Sequence, residues 1–253
     1  MSVEAVLEEK YIIDVDHVTM RFNMPKEKVD NIKEYLIKAL KHQIRYEAFV
    51  ALSDVSLKIK RGEVIGIVGL NGSGKSTLLK LISGILDPSE GKVKTYGSIS
   101  PMIELGAGFD MELTARENIF LNGSVLGFSR DFLKSKYDEI LDFAELRDFE
   151  DVAIKNFSSG MVARLGFAIA TLVKPDILIV DEILAVGDFL FQQKCEKRIS
   201  ELMSGGTTVL IVSHSIEQIE RLCNRVIWLD HGVTKMIGET KDVCDLYKIS
   251  ERS

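Results

Sequence analysis

Cysteine is scarce in this chain of 253 residues: only Cys195, Cys223 and Cys244, odd in number and without paired spacing. That argues against a disulfide framework or a zinc site and fits a reducing compartment, where they serve as ordinary thiols. No apolar run approaches the eighteen or so residues needed to cross a bilayer. Residues 1–10 carry acidic side chains where a secretory leader has a basic start and a greasy middle. Positive charge is in deficit, with 32 Lys and Arg against 38 Asp and Glu and a net charge of −6, so a nucleic-acid partner is not expected. Internal repeats and low-complexity stretches are missing as well. The chain is expected in the cytosol, alone or attached to something else.

What is present is dominated by Gly69-Leu70-Asn71-Gly72-Ser73-Gly74-Lys75-Ser76-Thr77, which fits the phosphate-binding pattern G-x-x-x-x-G-K-[ST]. It follows the apolar run Val64-Ile65-Gly66-Ile67-Val68, read as a buried strand, and precedes Leu78-Leu79-Lys80-Leu81-Ile82, read as helix. In that setting the glycines let backbone N–H groups turn inward around phosphates, with the positive helix end behind them. Lys75 would lie along the phosphates, and Ser76 would offer its hydroxyl to Mg²⁺.

Short β-rich runs alternate with helical ones, the pattern of a mostly parallel α/β sheet. Strands are predicted at residues 12–18, 52–59 (an alternating edge), 64–68 (central), 177–180, 209–212 and 226–229, with Asp230-His231-Gly232 turning into a further strand over 233–237. Between about residues 113 and 173 helices dominate, over 115–126, 132–144 after a Ser129 cap, and 160–173, which predicts an inserted helical lobe. Asn23 and Pro25 can open one more helix. Val29, Ile32, Leu36 and Leu40 follow at helical spacing, and Lys26, Lys28, Lys33, Lys38, Lys41 and Arg45 cover the rest, so residues 26–45 read as an inserted amphipathic helix. It either lies on the domain with a solvated basic face or touches anionic headgroups or a membrane partner.

A phosphate loop alone leaves kinases, GTPases and ATPases open. The apolar strand Ile177-Leu178-Ile179-Val180 ends in Asp181 and Glu182, at the sheet edge where open α/β proteins bind ligands. Asp181 suits a Mg²⁺ ligand, and Glu182 can orient or deprotonate the attacking water. His214 ends the next strand at the same edge and can hydrogen-bond the γ-phosphate and that water. Asn156-Phe157-Ser158-Ser159-Gly160-Met161 places small residues at the start of a long apolar helix, a second anion site. One nucleotide has one γ-phosphate, already held by the first loop. The second tip therefore points to a nucleotide held by another copy of the chain.

At these residues the sequence resembles the ATP-binding subunit of ABC transporters, over nearly its whole length and in the usual order: phosphate loop, helical lobe, signature, acidic strand end, Asp188 loop and His214. The resemblance implies a P-loop NTPase fold with a mostly parallel central sheet, an antiparallel β edge and the inserted lobe, in one nucleotide-binding domain over residues 1–253. It implies ATP and Mg²⁺ as cofactors and a head-to-tail homodimer enclosing two ATP molecules. By that resemblance Ser158, Ser159 and Gly160 reach across to the partner's nucleotide, Ala185-Val186-Gly187-Asp188 lines the dimer seam, and a separate integral-membrane permease is driven from the cytoplasmic face of the membrane, touched near residues 106–113.

Several stretches narrow the resemblance. Ile103-Glu104-Leu105-Gly106-Ala107-Gly108-Phe109, Glu117-Asn118-Ile119, Ser158-Ser159-Gly160-Met161, Ala185-Val186-Gly187-Asp188 and Phe191-Gln192-Gln193-Lys194-Cys195 are similar to the branch that exports O-antigen, teichoic acid or capsule-like chains. Glu104 stands where most of the family has the glutamine that meets Mg²⁺ and water, and an ionised carboxylate only accepts hydrogen bonds. In the signature, serine replaces the first of two family glycines and methionine replaces glutamine. An aromatic residue should stack on adenine: Phe22 falls at the right distance upstream, with Tyr11 and Phe49 as rivals. Some subunits of this branch carry a C-terminal glycan-reading extension, which a chain stopping at Ser253 is expected to lack. The alternative is a soluble ABC-type ATPase acting on a ribosome or assembly complex, though such proteins usually join two cassettes by a charged linker. A P-loop small-molecule kinase would leave the signature unexplained.

Overall fold

The computed structural model describes residues 11–25, 46–102, 105–106, 108–181, 187–213 and 215–251. In chain order its elements are β1 (Tyr11–Pro25), β2 (Tyr46–Lys60), β3 (Val64–Val68), α1 (Lys75–Ile82), β4 (Glu90–Thr95), β5 (Ile99–Met102), α2 (Ala115–Val125), α3 (Arg130–Ala144), α4 (Ser159–Ala170), β6 (Ile177–Asp181), α5 (Phe189–Ser204), β7 (Thr208–Val212), α6 (Ile216–Leu222), β8 (Arg225–Asp230), β9 (Val233–Glu239) and α7 (Thr240–Glu251).

The strands form two sheets. One is antiparallel, in the order β2-β1-β4; the other, in the order β5-β6-β7-β3-β8-β9, is parallel except for the last strand. In β2 the expected alternation is realised, with Val55, Leu57 and Ile59 buried and Ser56, Lys58 and Lys60 exposed. In β3 and β7 every residue is buried, as strands covered on both faces require. One core lies between the sheets, where Val15, Leu57, Leu79, Ile179, Leu210 and Ile227 meet. The other face of the parallel sheet, carrying Leu178, Val180, Val209 and Ile211, packs on Phe167, Phe191 and Ile199. Each such side chain contributes about 1.5–3 kcal/mol by burial.

The helical lobe is the excursion between β5 and β6, which lie side by side and parallel. It has its own core, including Ile119, Ile140, Leu141, Leu165 and Ile169. Its helices start where capping chemistry dictates. Thr114 and Glu117 form a reciprocal capping box at α2, and the Ser129 hydroxyl accepts the Phe132 N–H at α3. Helix α4 belongs to both cores, because Leu165 and Ile169 face the lobe while Phe167 faces the sheet. All three cysteines are buried, and desolvation pushes the thiols of Cys195 and Cys223 up to about 12 and that of Cys244 to about 11.

Strand β1 corrects one expectation. It runs on to Pro25, with Asn23 opposite Ala48 and Pro25 opposite Tyr46, so these residues end a ladder instead of opening a helix. Proline is tolerated there because β4 pairs with β1 only as far as Thr19, so that among the described residues no strand pairs with that side of β1 at Pro25. The amphipathic helix expected at residues 26–45 lies outside the described residues.

Candidate functional site

Strand β3 delivers the chain into the glycine loop at the C-terminal edge of the parallel sheet, and α1 leaves it. The helix is entered through Gly74 in a left-handed conformation, with no side-chain cap on the first N–H groups. Backbone contacts hold the loop. The Ser73 N–H donates to the Leu70 carbonyl at 3.1 Å, and the Gly232 N–H, in the turn between β8 and β9, donates to the Ser73 carbonyl at 3.1 Å. A Cβ on Gly69 would stand 2.2 Å from the Leu229 carbonyl oxygen, so β8 fits against the loop only because that residue has no side chain.

Two side chains in the loop fit a phosphate group. The Ser73 hydroxyl is buried without a hydrogen-bond partner among the described residues. The buried ammonium of Lys75 folds back on the loop, donating to the carbonyls of Gly69 at 2.7 Å and Leu70 at 3.0 Å. Beside them lies a pocket of about 210 Å³, lined by Asn71, Gly72, Gly74, Lys75, Ser76 and Thr77 together with Phe49 and Ala51. The Ser76 hydroxyl lies 3.5 Å from Asp181 Oδ2 at the tip of β6. A hydroxyl and a carboxylate so placed are hard oxygen donors suited to Mg²⁺. Among the described residues no group of three or more His, Cys, Asp or Glu is placed to hold a metal.

Glu182, His214 and Glu104 lie outside the described residues, as do Ala185 and Val186. Asp181, which precedes one of them, ends β6, and Ser213, which precedes another, directly follows β7, the parallel strand between β6 and β3. Of the three aromatic candidates, Phe49 lines the pocket and is half exposed. Phe22 is its cross-strand neighbour and packs against the inter-sheet core, while Tyr11 lies opposite Lys60 at the far end of β1.

The signature caps α4: the Ser158 hydroxyl accepts the Met161 N–H at 3.2 Å, and Ser158 and Ser159 are exposed. None of its residues lines the phosphate-loop pocket. Among the described residues a Cβ on Gly160 would meet only the Ser158 hydroxyl, at 3.8 Å, so nothing in their packing calls for glycine there. Asp188 caps α5, its Oδ1 accepting the Phe191 N–H at 3.0 Å, and this bond followed by the Arg164 guanidinium holds its carboxyl below the usual range. Sequence reasoning did not single out Arg164 or Glu145, which join this end of the molecule. Glu145 has no motif of its own, whereas the signal for Arg164 was that it is the one charged residue of the apolar helix α4.

The sequence profile of the ABC transporter family matches residues 52–185, from β2 to just past the acidic strand end. The chain belongs to the ABC transporter family. This ABC chain is 40% identical over 239 residues to an O-antigen export system ATP-binding protein, RfbB, of Klebsiella pneumoniae, covering 94% of the chain and 97% of the relative. It is also 40% identical over 242 residues to the teichoic acids export ATP-binding protein TagH of Lactiplantibacillus plantarum, covering 96% of the chain and 66% of that protein. Its fold superposes on the dimeric structure of MJ0796, a bacterial ABC transporter cassette, with a TM-score of 0.70 at 25% identity, covering 90% of the chain and 98% of the cassette. These relatives place the ABC chain in the polysaccharide-export branch, and the family makes it an ATPase.

Proposed function

We propose that this chain is the ATP-hydrolysing subunit of an exporter that moves a lipid-linked cell-surface polysaccharide outward through a separate permease, working as a head-to-tail pair of copies. One observation carries the two-copy reading: the phosphate-loop pocket has none of the signature residues in its lining, while the signature tip stands exposed and capped on another part of the fold. The dimeric state named for the MJ0796 cassette supports it. The export systems named for RfbB and TagH support the substrate class.

In this reading the loop amides and the Ser73 hydroxyl bind the phosphates, and Lys75 exchanges its two loop carbonyls for them. Ser76 and Asp181 would hold Mg²⁺, which would supply charge neutralisation for the phosphates. Glu182 accepts a proton from the attacking water and His214 orients the γ-phosphate. The purine rests on Phe49, the exposed aromatic at the pocket, in preference to Phe22. The permease docks in the cleft of about 250 Å³ between lobe and sheet, whose lining includes Pro101, Leu105, Gly106 and the exposed Ile85 and Val125. That sets the chain at the cytoplasmic face of the membrane through its partner.

Glu182→Gln tests the reaction. ATP binding is expected to persist while release of inorganic phosphate falls at least about a hundredfold. The variant should also form an ATP-dependent dimer on size-exclusion chromatography. Undiminished phosphate release would remove Glu182 from its role, a phosphorylated acceptor in place of free phosphate would make the chain a kinase, and co-purification with ribosomes instead of membranes would replace export by the soluble reading.

A further inference from the structure

Three helices meet on one side of the parallel sheet: α3 from the lobe, α4 behind the signature and α5 behind Asp188. Their contact is an aromatic trio, with Phe167 and Phe191 buried and Phe143 partly so. Phe143 and Phe167 stack with ring centres 5.7 Å apart, and Phe191 meets them edge-on at 5.8 and 6.3 Å. Above it sits Arg164, mostly buried, with its guanidinium 4.7 Å from the centre of the Phe191 ring. Its fork is divided between two elements: one nitrogen donates to Glu145 Oε2 at 2.7 Å and the other to Asp188 Oδ2. The second oxygen of Glu145 accepts from Lys194 on α5, so the ion-pair chain Asp188–Arg164–Glu145–Lys194 returns to the helix it started from and forms a ring with it over the three helices.

Two backbone details indicate that the ring is built for a purpose. Glu145, the residue that ends α3, is held left-handed at φ 58°. Glycine usually fills such a helix end, and a side chain there is strained. The carboxylate kept at that strained position is the one that binds both Arg164 and Lys194. Gly187, at φ +78°, brings the turn before Asp188 so near that a Cβ would lie 3.2 Å from Phe191 and 3.3 Å from Arg164. The Asp188 turn is thus moulded against the same guanidinium. Strain held in place by surrounding contacts is a pointer to function.

We infer that Arg164, seated on Glu145, is a positioning residue that fixes the signature tip and the Asp188 turn at one mutual spacing, so that both meet the second copy together. The inference rests on the two-copy reading above. If both elements face the same partner, closure needs each at the right place at once, and a rigid link removes the cost of ordering them separately on encounter. Arginine suits the task because its planar fork serves two carboxylates while its face lies on an aromatic ring.

The test uses the full chain with Arg164→Lys and, separately, Glu145→Gly. The second change removes the carboxylate but also relieves the left-handed strain, so its effect on turnover is not explained by unfolding. Thermal midpoint, affinity for an ATP analogue, turnover and, in a Glu182→Gln background, ATP-dependent dimerisation are measured. We expect both variants to keep nucleotide affinity within twofold, to lose turnover at least fivefold, and to dimerise more weakly, with Glu145→Gly melting no lower than the parent by more than a few degrees. Turnover within twofold of the parent in both variants would overturn the inference, as would losses that track a lowered melting point in each. A parent that fails to dimerise with ATP sinks the two-copy reading and this link with it. A dimerising parent with fully active variants sinks the link alone.

Discussion

The phosphate loop and the signature tip are both glycine-containing starts of helices, yet the molecule secures them by different means. Around the loop the work is done by backbone: a fully buried strand enters it, the Gly232 amide braces it from the β8–β9 turn, and Leu229 closes on Gly69. Around the signature it is done by side chains, through the Ser158 cap, the aromatic trio and the ionic ring of Arg164, Glu145, Lys194 and Asp188. The first is complete within one copy and depends on atoms every residue has. The second leaves Ser158 and Ser159 exposed and depends on which residues happen to be near.

Exchanging the two glycines for alanine breaks the comparison most sharply. Gly69→Ala should abolish ATP binding and lower stability by about 2–4 kcal/mol, read by chemical denaturation, because its Cβ meets backbone at 2.2 Å and its φ of +147° is foreign to alanine. Retained ATP affinity in that variant would show that the loop can move away from β8. Gly160→Ala should do the reverse. With open space around it, stability is expected to hold or rise by about 0.5–1 kcal/mol, while phosphate release falls about tenfold or more. Unchanged turnover would place Gly160 away from any shared site.

The smallest effect is one of pH. A hydrogen bond from Lys194, then the Arg164 contact, holds Glu145 below its ordinary value, and the Phe191 amide does the same for Asp188. Depressed carboxylates contribute stability that is present above their unfolded values, near 4.5 and 3.8, and is lost as pH falls through the lower folded ones. The gap in thermal midpoint between the parent and Glu145→Gln should therefore be flat above about pH 5 and narrow on acidification. A gap that widens toward low pH would contradict the ionic ring.

This division also explains what could be read from the sequence. Strands buried on both faces, such as β3, β6 and β7, announce themselves as apolar runs, and capped helices such as α2 and α3 carry their start signals. Strands β4 and β5 do not. Glu-Gly-Lys-Val-Lys-Thr offers one apolar side chain, and Ile-Ser-Pro-Met contains a proline that normally argues against a strand and is admitted because β5 lies at the sheet edge. The arms of β1 and β2 beyond the core, including exposed Arg21, Asn23 and Phe49, pair with each other without leaving a burial pattern to detect. The phosphate loop and Asp181 form local motifs. Arg164, Glu145 and Lys194 lie on separate elements, and only folding brings them together. Phe49 was legible only as one aromatic among three.

The position of β3 has a consequence for synthesis. Both of its neighbours, β7 and β8, and the turn that supports Ser73 come from the last fifth of the chain. A nascent polypeptide would expose the whole glycine-lysine sequence long before the strands that give it shape leave the ribosome. The ability to grip a triphosphate therefore arrives only once the chain has been made past Gly232, and a product stopped short of that point would have no means to consume fuel.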